Sequence, residues 1–203
     1  MSGQEPFPLD PGPDTLEQLL VGWFGPMPGP PSRPRASMVL PAALESGLAT
    51  LTRWLGLFVQ NALLAAAEID EVDGVGRFLD ENQSVCYWGF RLLDAAEADP
   101  PVWAGDGHGN TRRVDVCISL FLTKVTIQEI VLSNAWMSTD MDSRSGTPLL
   151  VGLRRLDALG PPGWPPEPTI QGWLHAGHDE LGLAFMTDGG DVAGAWRARR
   201  VAP

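Results

Sequence analysis

Apolar positions along this chain follow two periods, and the change from one to the other divides it. Leu16, Leu19, Leu20 and Trp23 recur at i, i+3, i+4 and i+7, the stripe of one helix face. Asp14 stands where an N-cap belongs and Gly25 where a helix stops, so a helix is expected from Thr15 to Phe24. The Pro-rich run Pro26 to Pro34 cannot continue it. A second helix is expected from Pro41 through Trp54 on the stripe Leu40, Leu44, Leu48, Leu51 and Leu55, with Gly56 as its stop. Residues 57–73 show no single period: Leu57-Phe58-Val59 fits a short strand and Ala62 to Ala67 either a helical turn or an irregular stretch.

Strands are then expected near 75–79, 85–91 and 101–104. In the second, Cys86, Trp88 and Phe90 share one face while Val85, Tyr87 and Gly89 share the other, so the sheet should be covered on both sides. Asp106 to Asn110 reads as a turn. Val116, Leu120, Ile127, Ile130 and Val131 suit a helix stripe over 116–132. A loop over 138–147 precedes a helix expected from Pro148 to Leu159, stopped by Gly160. Three further strands, 169–175, 181–186 and 192–199, are separated by His-Ala-Gly-His-Asp-Glu and Asp-Gly-Gly-Asp turns and should form an antiparallel meander. Helices, strands, helices, strands in that order predict an α+β fold with a central, mostly antiparallel sheet flanked by helices. The first 13 residues hold four prolines and are expected to be flexible; residues 14–203 are expected to form one domain.

Composition narrows the function classes. The chain has 203 residues, 44% of them hydrophobic, enough for a substantial core. No apolar run is long enough for a membrane span, and no basic region precedes an apolar core at the N-terminus, so a cytoplasmic location is expected. Net charge is −11, and it is unevenly placed: residues 1–110 carry 15 acidic and 5 basic side chains, the remainder 10 and 9. The densest acidic stretch runs Glu68, Asp70, Glu71, Asp73, Asp80, Glu81, with only Arg77 among them. Such a field repels nucleic acid and anionic lipid and attracts basic proteins, although acidity also serves solubility alone. Cys86 and Cys117 are not in a Cys-x-x-Cys pair and read as buried free thiols, a bridge between them being the alternative. Trp88 and Trp103 are expected to fill the core, whereas Trp136 and Trp164 fall in expected loops.

No convincing catalytic set emerges. There is no Gly-x-Ser-x-Gly, no Gly-x-x-x-x-Gly-Lys and no calcium-loop spacing of acids. His175 and His178, with His108 as a third ligand, are the one candidate metal set, supporting a hydrolase only as a minor alternative. No metal, cofactor or catalytic residue is therefore assigned.

The segment Phe78-x-x-Glu81-Asn82-Gln83-x-Val85-x-x-Trp88-Gly89, followed by Asp99-Pro100-Pro101-Val102-Trp103 and Leu120-Phe121-Leu122, resembles the SUKH superfamily of fungal cell-wall regulators and bacterial toxin-immunity proteins. Leu40-Pro41-x-x-Leu44 is similar to that family's N-terminal entry. The resemblance covers about residues 40–199, but only 78–103 is specific. It implies a structural motif, with Trp88 in the core, the Asn82 and Gln83 amides satisfying turn backbone, and Glu81 as the motif residue facing a partner. It also implies a non-enzymatic protein that binds and neutralises a cognate toxin of nuclease or deaminase type, with a regulatory or scaffold module for a cellular client as the alternative. A basic partner surface would complement Glu68, Asp70, Glu71, Asp73 and Glu81 together with Glu97, Asp99 and Asp106 in the 94–106 segment.

Overall fold

The computed structural model describes residues 14–26, 29, 35–54, 56–135, 153–156, 170–176, 180–187 and 192–199. Its chain divides into two compact units, Pro28–Leu122 and Met1–Met27 with Thr123–Pro203.

The first unit is built on period-two alternation. Helix α2, Ala42–Leu51, buries Leu44, Leu48 and Leu51 at i, i+4 and i+7. It ends sooner than its stripe suggests, because the amides of Arg53 and Trp54 donate to carbonyls three residues back and tighten the last turn. Strands β1 (Asn61–Leu63), β2 (Asp70–Val72), β3 (Val75–Glu81), β4 (Tyr87–Arg91), β5 (Pro101–Gly105) and β6 (Thr111–Cys117) follow. They form one antiparallel sheet in the order β1-β3-β4-β5-β6, with β2 also pairing β3. Phe78, Leu79, Trp88, Phe90 and Val102 are buried on it. Phe121 stands edge-on to Phe78 at 6.0 Å and tilted to Trp88 at 5.9 Å. Each such fully buried side chain contributes about 1.5–3 kcal/mol.

Three expectations are corrected here. The stretch 57–73 holds β1 and β2, not a strand at Leu57–Val59 or a helix at Ala62–Ala67, because β3 offers its whole edge to two short partners in succession. Residues 111–117 are a strand, because β5 pairs with them from Gly105 opposite Thr111 to Pro101 opposite Cys117, across one register shift. Helix α3 accordingly starts at Ile118 and runs to Ala135. Trp103 does not fill the core; it lies part-buried, with the Arg91 guanidinium 3.9 Å above its ring.

In the second unit α1, Thr15–Phe24, buries Leu16, Leu19 and Leu20 of its expected stripe and Thr15 besides, while Trp23 of that stripe is part-buried. Asp14 occupies the N-cap but makes no side-chain cap, while Gly25 at φ 90° ends the helix by donating to the Val21 carbonyl. The part of α3 in this unit, from Thr123, is buried on all sides through Val131, where a single apolar stripe was expected. Strands β7 (Arg154–Arg155), β8 (Ile170–Ala176), β9 (Glu180–Thr187) and β10 (Val192–Arg199) form an antiparallel sheet ordered β10-β9-β8-β7. The expected meander is present. The helix expected over 148–159 is contradicted at β7, where register pairing with His175 and Ala176 outweighs local helix preference; the rest of that segment, the 138–147 loop, Trp136 and Trp164 lie outside the described residues. The architecture is α+β, three helices with antiparallel sheets. Among the described residues no helix is long and apolar enough to cross a membrane.

Candidate protein-binding surface

The eight acidic candidates fall into two groups once their partners are known. The turn joining β3 to β4 is closed by the Glu81 amide on the Cys86 carbonyl and the Ser84 amide on the Glu81 carbonyl, at 3.0 and 2.8 Å. The Glu81 carboxylate accepts the Gln83 amide at 2.7 Å and is only 6% exposed. Glu81 therefore holds the turn and does not face outward. The Asn82 side chain donates to the Gln60 side chain at 3.4 Å, so the backbone-satisfying role expected of the Asn82 and Gln83 amides is performed by Glu81 instead. A carboxylate suits that role better because its charge strengthens the bond it accepts.

Asp99 acts at a distance along the chain. Its Oδ1 accepts the Ser119 amide at 3.0 Å and its Oδ2 accepts the Ser119 hydroxyl at 2.6 Å, capping the start of α3. Asp106 closes its own loop, accepting the amides of His108 and Asn110 on Oδ1 and the Asn110 side-chain amide on Oδ2. Those bonds, the Asn110 side chain first, hold its pKa below the usual carboxylate value. Glu68 accepts the Ala65 amide at 2.9 Å. Asp70 is forked by Arg77, Nε to Oδ1 and Nη2 to Oδ2, both at 2.9 Å. Arg77 also reaches Asp80 at 3.3 Å; burial pushes the Asp80 carboxyl up, and Arg77 opposes that rise.

Glu71, Asp73 and Glu97 remain, all exposed. Among the described residues the carboxylates of Glu71 and Glu97 accept no hydrogen bond, and Asp73 takes only the Tyr87 hydroxyl at 3.5 Å. Asp73 lies at φ 52° beside Gly74, in the turn between β2 and β3. The Gly74 carbonyl accepts the Leu92 amide at 3.2 Å, so this turn is tied to the 92–99 connection leading out of β4. That connection is stapled by Ala95 to Leu92, Glu97 to Asp94, and Ala43 to the Ala98 carbonyl at 2.8 Å. At its tip Leu93 is 89% exposed, beside Asp94. The sequence marks the acids, but Leu93 carries no local signal: only the turn geometry separates it from the buried leucines.

Tyr87 lies against the turn that holds Asp73. Its hydroxyl donates to the Val72 carbonyl at 3.2 Å, and burial, then the Asp73 and Asp106 charges, push its pKa up. Cys86 is buried, and its thiol is pushed up to about 12 chiefly by burial, with the Glu81 charge next. Both cysteines are free. His108 is exposed on the Asp106 loop, His175 lies on β8, and His178 is outside the described residues, among which no cluster of three metal-ligating side chains occurs. Comparison with protein-family models, curated proteins and solved structures returns no match.

Proposed function

We propose that this chain is a non-enzymatic, cytoplasmic protein of SUKH type that neutralises a basic protein toxin by binding and covering it. The observation that supports this reading is the tie between the Asp73 turn and the 92–99 connection, which sets Glu71, Asp73, Asp94 and Glu97 on segments joined beside Leu93. An apolar side chain projecting from a hydrogen-bonded loop, with carboxylates around it, has the make-up of a contact centre with a polar rim. Charge complementarity to a lysine- and arginine-rich partner raises the association rate and rejects acidic competitors. Glu81, Asp99 and Asp106, engaged in their own turn, helix start and loop, do not belong to its contact set.

The test is co-purification from the native host, followed by co-expression of any recovered basic protein with and without this chain. The expected outcome is a stable basic partner whose expression alone arrests growth and whose effect is relieved by this chain. Leu93→Asp or a combined Glu71→Lys, Glu97→Lys variant should lose that relief while keeping a wild-type unfolding curve. Recovery of no stable partner, or full relief by both variants, overturns the proposal.

A further inference from the structure

The sheet of the first unit bears a second set of groups that the acidic surface does not use. Arg77 pairs in register with Gly89, Gly89 with Trp103, and Trp103 with Arg113, so these positions form one row across β3, β4, β5 and β6. Directly opposed residues point to the same face, and Arg91, two residues beyond Gly89, shares it. Arg77 in this row is saturated by Asp70 and Asp80. Arg91 and Arg113 are exposed and pair with no carboxylate among the described residues. The Arg91 guanidinium lies over the Trp103 ring, which fixes its plane and leaves its edge donors free to make a fork. The Trp103 Nε1–H is shielded from solvent and has no acceptor among the described residues.

We propose that this face binds an extended acidic protein segment, whose carboxylates are forked by Arg91 and Arg113 across Trp103. β4 and β6 are two strand spacings apart, about 10 Å, and alternate side chains on one face of an extended peptide repeat at roughly 7 Å, close enough for long arginines to reach both. A guanidinium held flat by stacking loses less freedom on pairing than a free one, so the fork is preorganised. A polyphosphate chain is the poorer occupant: it needs a row of free cations, whereas this face offers two beside the Asp70 and Asp80 carboxylates on a chain of net charge −11. The partner chemistry is thus opposite to that of the acidic surface, and this site goes beyond the function proposed above.

The probe is fluorescein-labelled octaglutamate, titrated by fluorescence anisotropy at low ionic strength, with octaglutamine and an eight-nucleotide thymidine strand as comparisons. Octaglutamate is expected to bind saturably and octaglutamine not. Arg91→Glu and Arg113→Glu should each weaken binding about tenfold or more with unchanged circular dichroism, the urea midpoint holding in Arg113→Glu and falling in Arg91→Glu only by the lost stack on Trp103. Leu93→Asp and the combined Glu71→Lys, Glu97→Lys variant, which disable the acidic surface, should leave the dependence of octaglutamate binding on Arg91 and Arg113 unchanged. Absence of saturation up to millimolar peptide, equal binding of octaglutamine, tighter binding of the thymidine strand, or indifference to either arginine reversal overturns the proposal.

Discussion

Asp99→Ala should destabilise the first unit through the start of α3, more than 15 residues further along the chain. Wild-type Asp99 accepts the Ser119 amide at 3.0 Å and the Ser119 hydroxyl at 2.6 Å. Losing a carboxylate cap costs typically about 1 kcal/mol, within a range of 0.5–2. The charge near the helix N-terminus adds about 0.3–1 kcal/mol at an exposed site. The sum, discounted because Asp99 is exposed, is about 1.5 kcal/mol. Ser119→Ala removes the hydroxyl bond to Asp99 together with the 3.5 Å contact of that hydroxyl with the Cys117 sulfur, and should cost roughly 0.5–1 kcal/mol. The two changes share one interaction, so the double variant should fall short of their sum by a coupling of about 0.5–1 kcal/mol.

Urea unfolding followed by circular dichroism measures the cycle, and amide hydrogen exchange localises it. The Ser119 amide should exchange about tenfold faster in Asp99→Ala, since 1.4 kcal/mol corresponds to one decade. Asp99→Asn keeps one oxygen acceptor and should lie between wild type and alanine. Changes under about 0.3 kcal/mol, strict additivity and an unaltered Ser119 exchange rate would together refute the capping argument. The same variants sort function from fold: Asp99→Asn should leave partner binding intact where Glu97→Lys weakens it.

Two further outcomes follow from the electrostatics. The Cys86 thiol, pushed from 9.0 to about 12, should be alkylated by iodoacetamide at pH 8 about a thousandfold more slowly in folded Cys117→Ser protein than in urea; equal rates would show an open thiol. Asp106 has a folded pKa below its unfolded value, so its loop contributes stability fully above about pH 4 and loses it as pH falls through the folded value. The stability advantage of wild type over Asp106→Ala should therefore shrink between pH 5 and pH 2, and an advantage that grows on acidification would reverse the assigned sign.

Helix α1, strands β3 to β5 and the β8–β10 meander are legible because turn residues bound each of them, even where the pairing register shifts within β3, β5 and β10. Where two elements abut without a turn residue, the pattern misleads: Cys117 ends β6 and Ile118 begins α3, and the apolar Val114 and Val116 suit both periods. β1 and β2 are three residues each, too short for any period, and exist because β3 supplies their hydrogen bonds. The acidic surface was legible as charge density alone. Which carboxylates are engaged was not, because their partners are distant or local backbone: Ser119 lies 20 residues from Asp99, and Gln83 meets Glu81 through an amide every residue possesses. Trp103 was assigned to the core from its apolar strand, but pairing register, not composition, sets which face a strand residue takes.

Arg77 explains how acidic and basic surfaces can coexist on one small sheet. A guanidinium forked onto Asp70 and touching Asp80 neutralises much of the charge that would otherwise sit in the row with Trp103 and Arg113. Burial already raises the Asp80 pKa, and Arg77 is the group that opposes that rise. Glu71 and Asp73, one and three residues beyond Asp70, escape this neutralisation because Arg77 has its donors committed. The fold thus sorts like charges by giving some of them work in turns, caps and forks. Of the eight acidic candidates, those left without such work stand in the β2–β3 turn region and on the 92–99 connection, next to the exposed Leu93. That selection, more than the total of −11, is what would give the proposed binding surface its specificity for a basic partner.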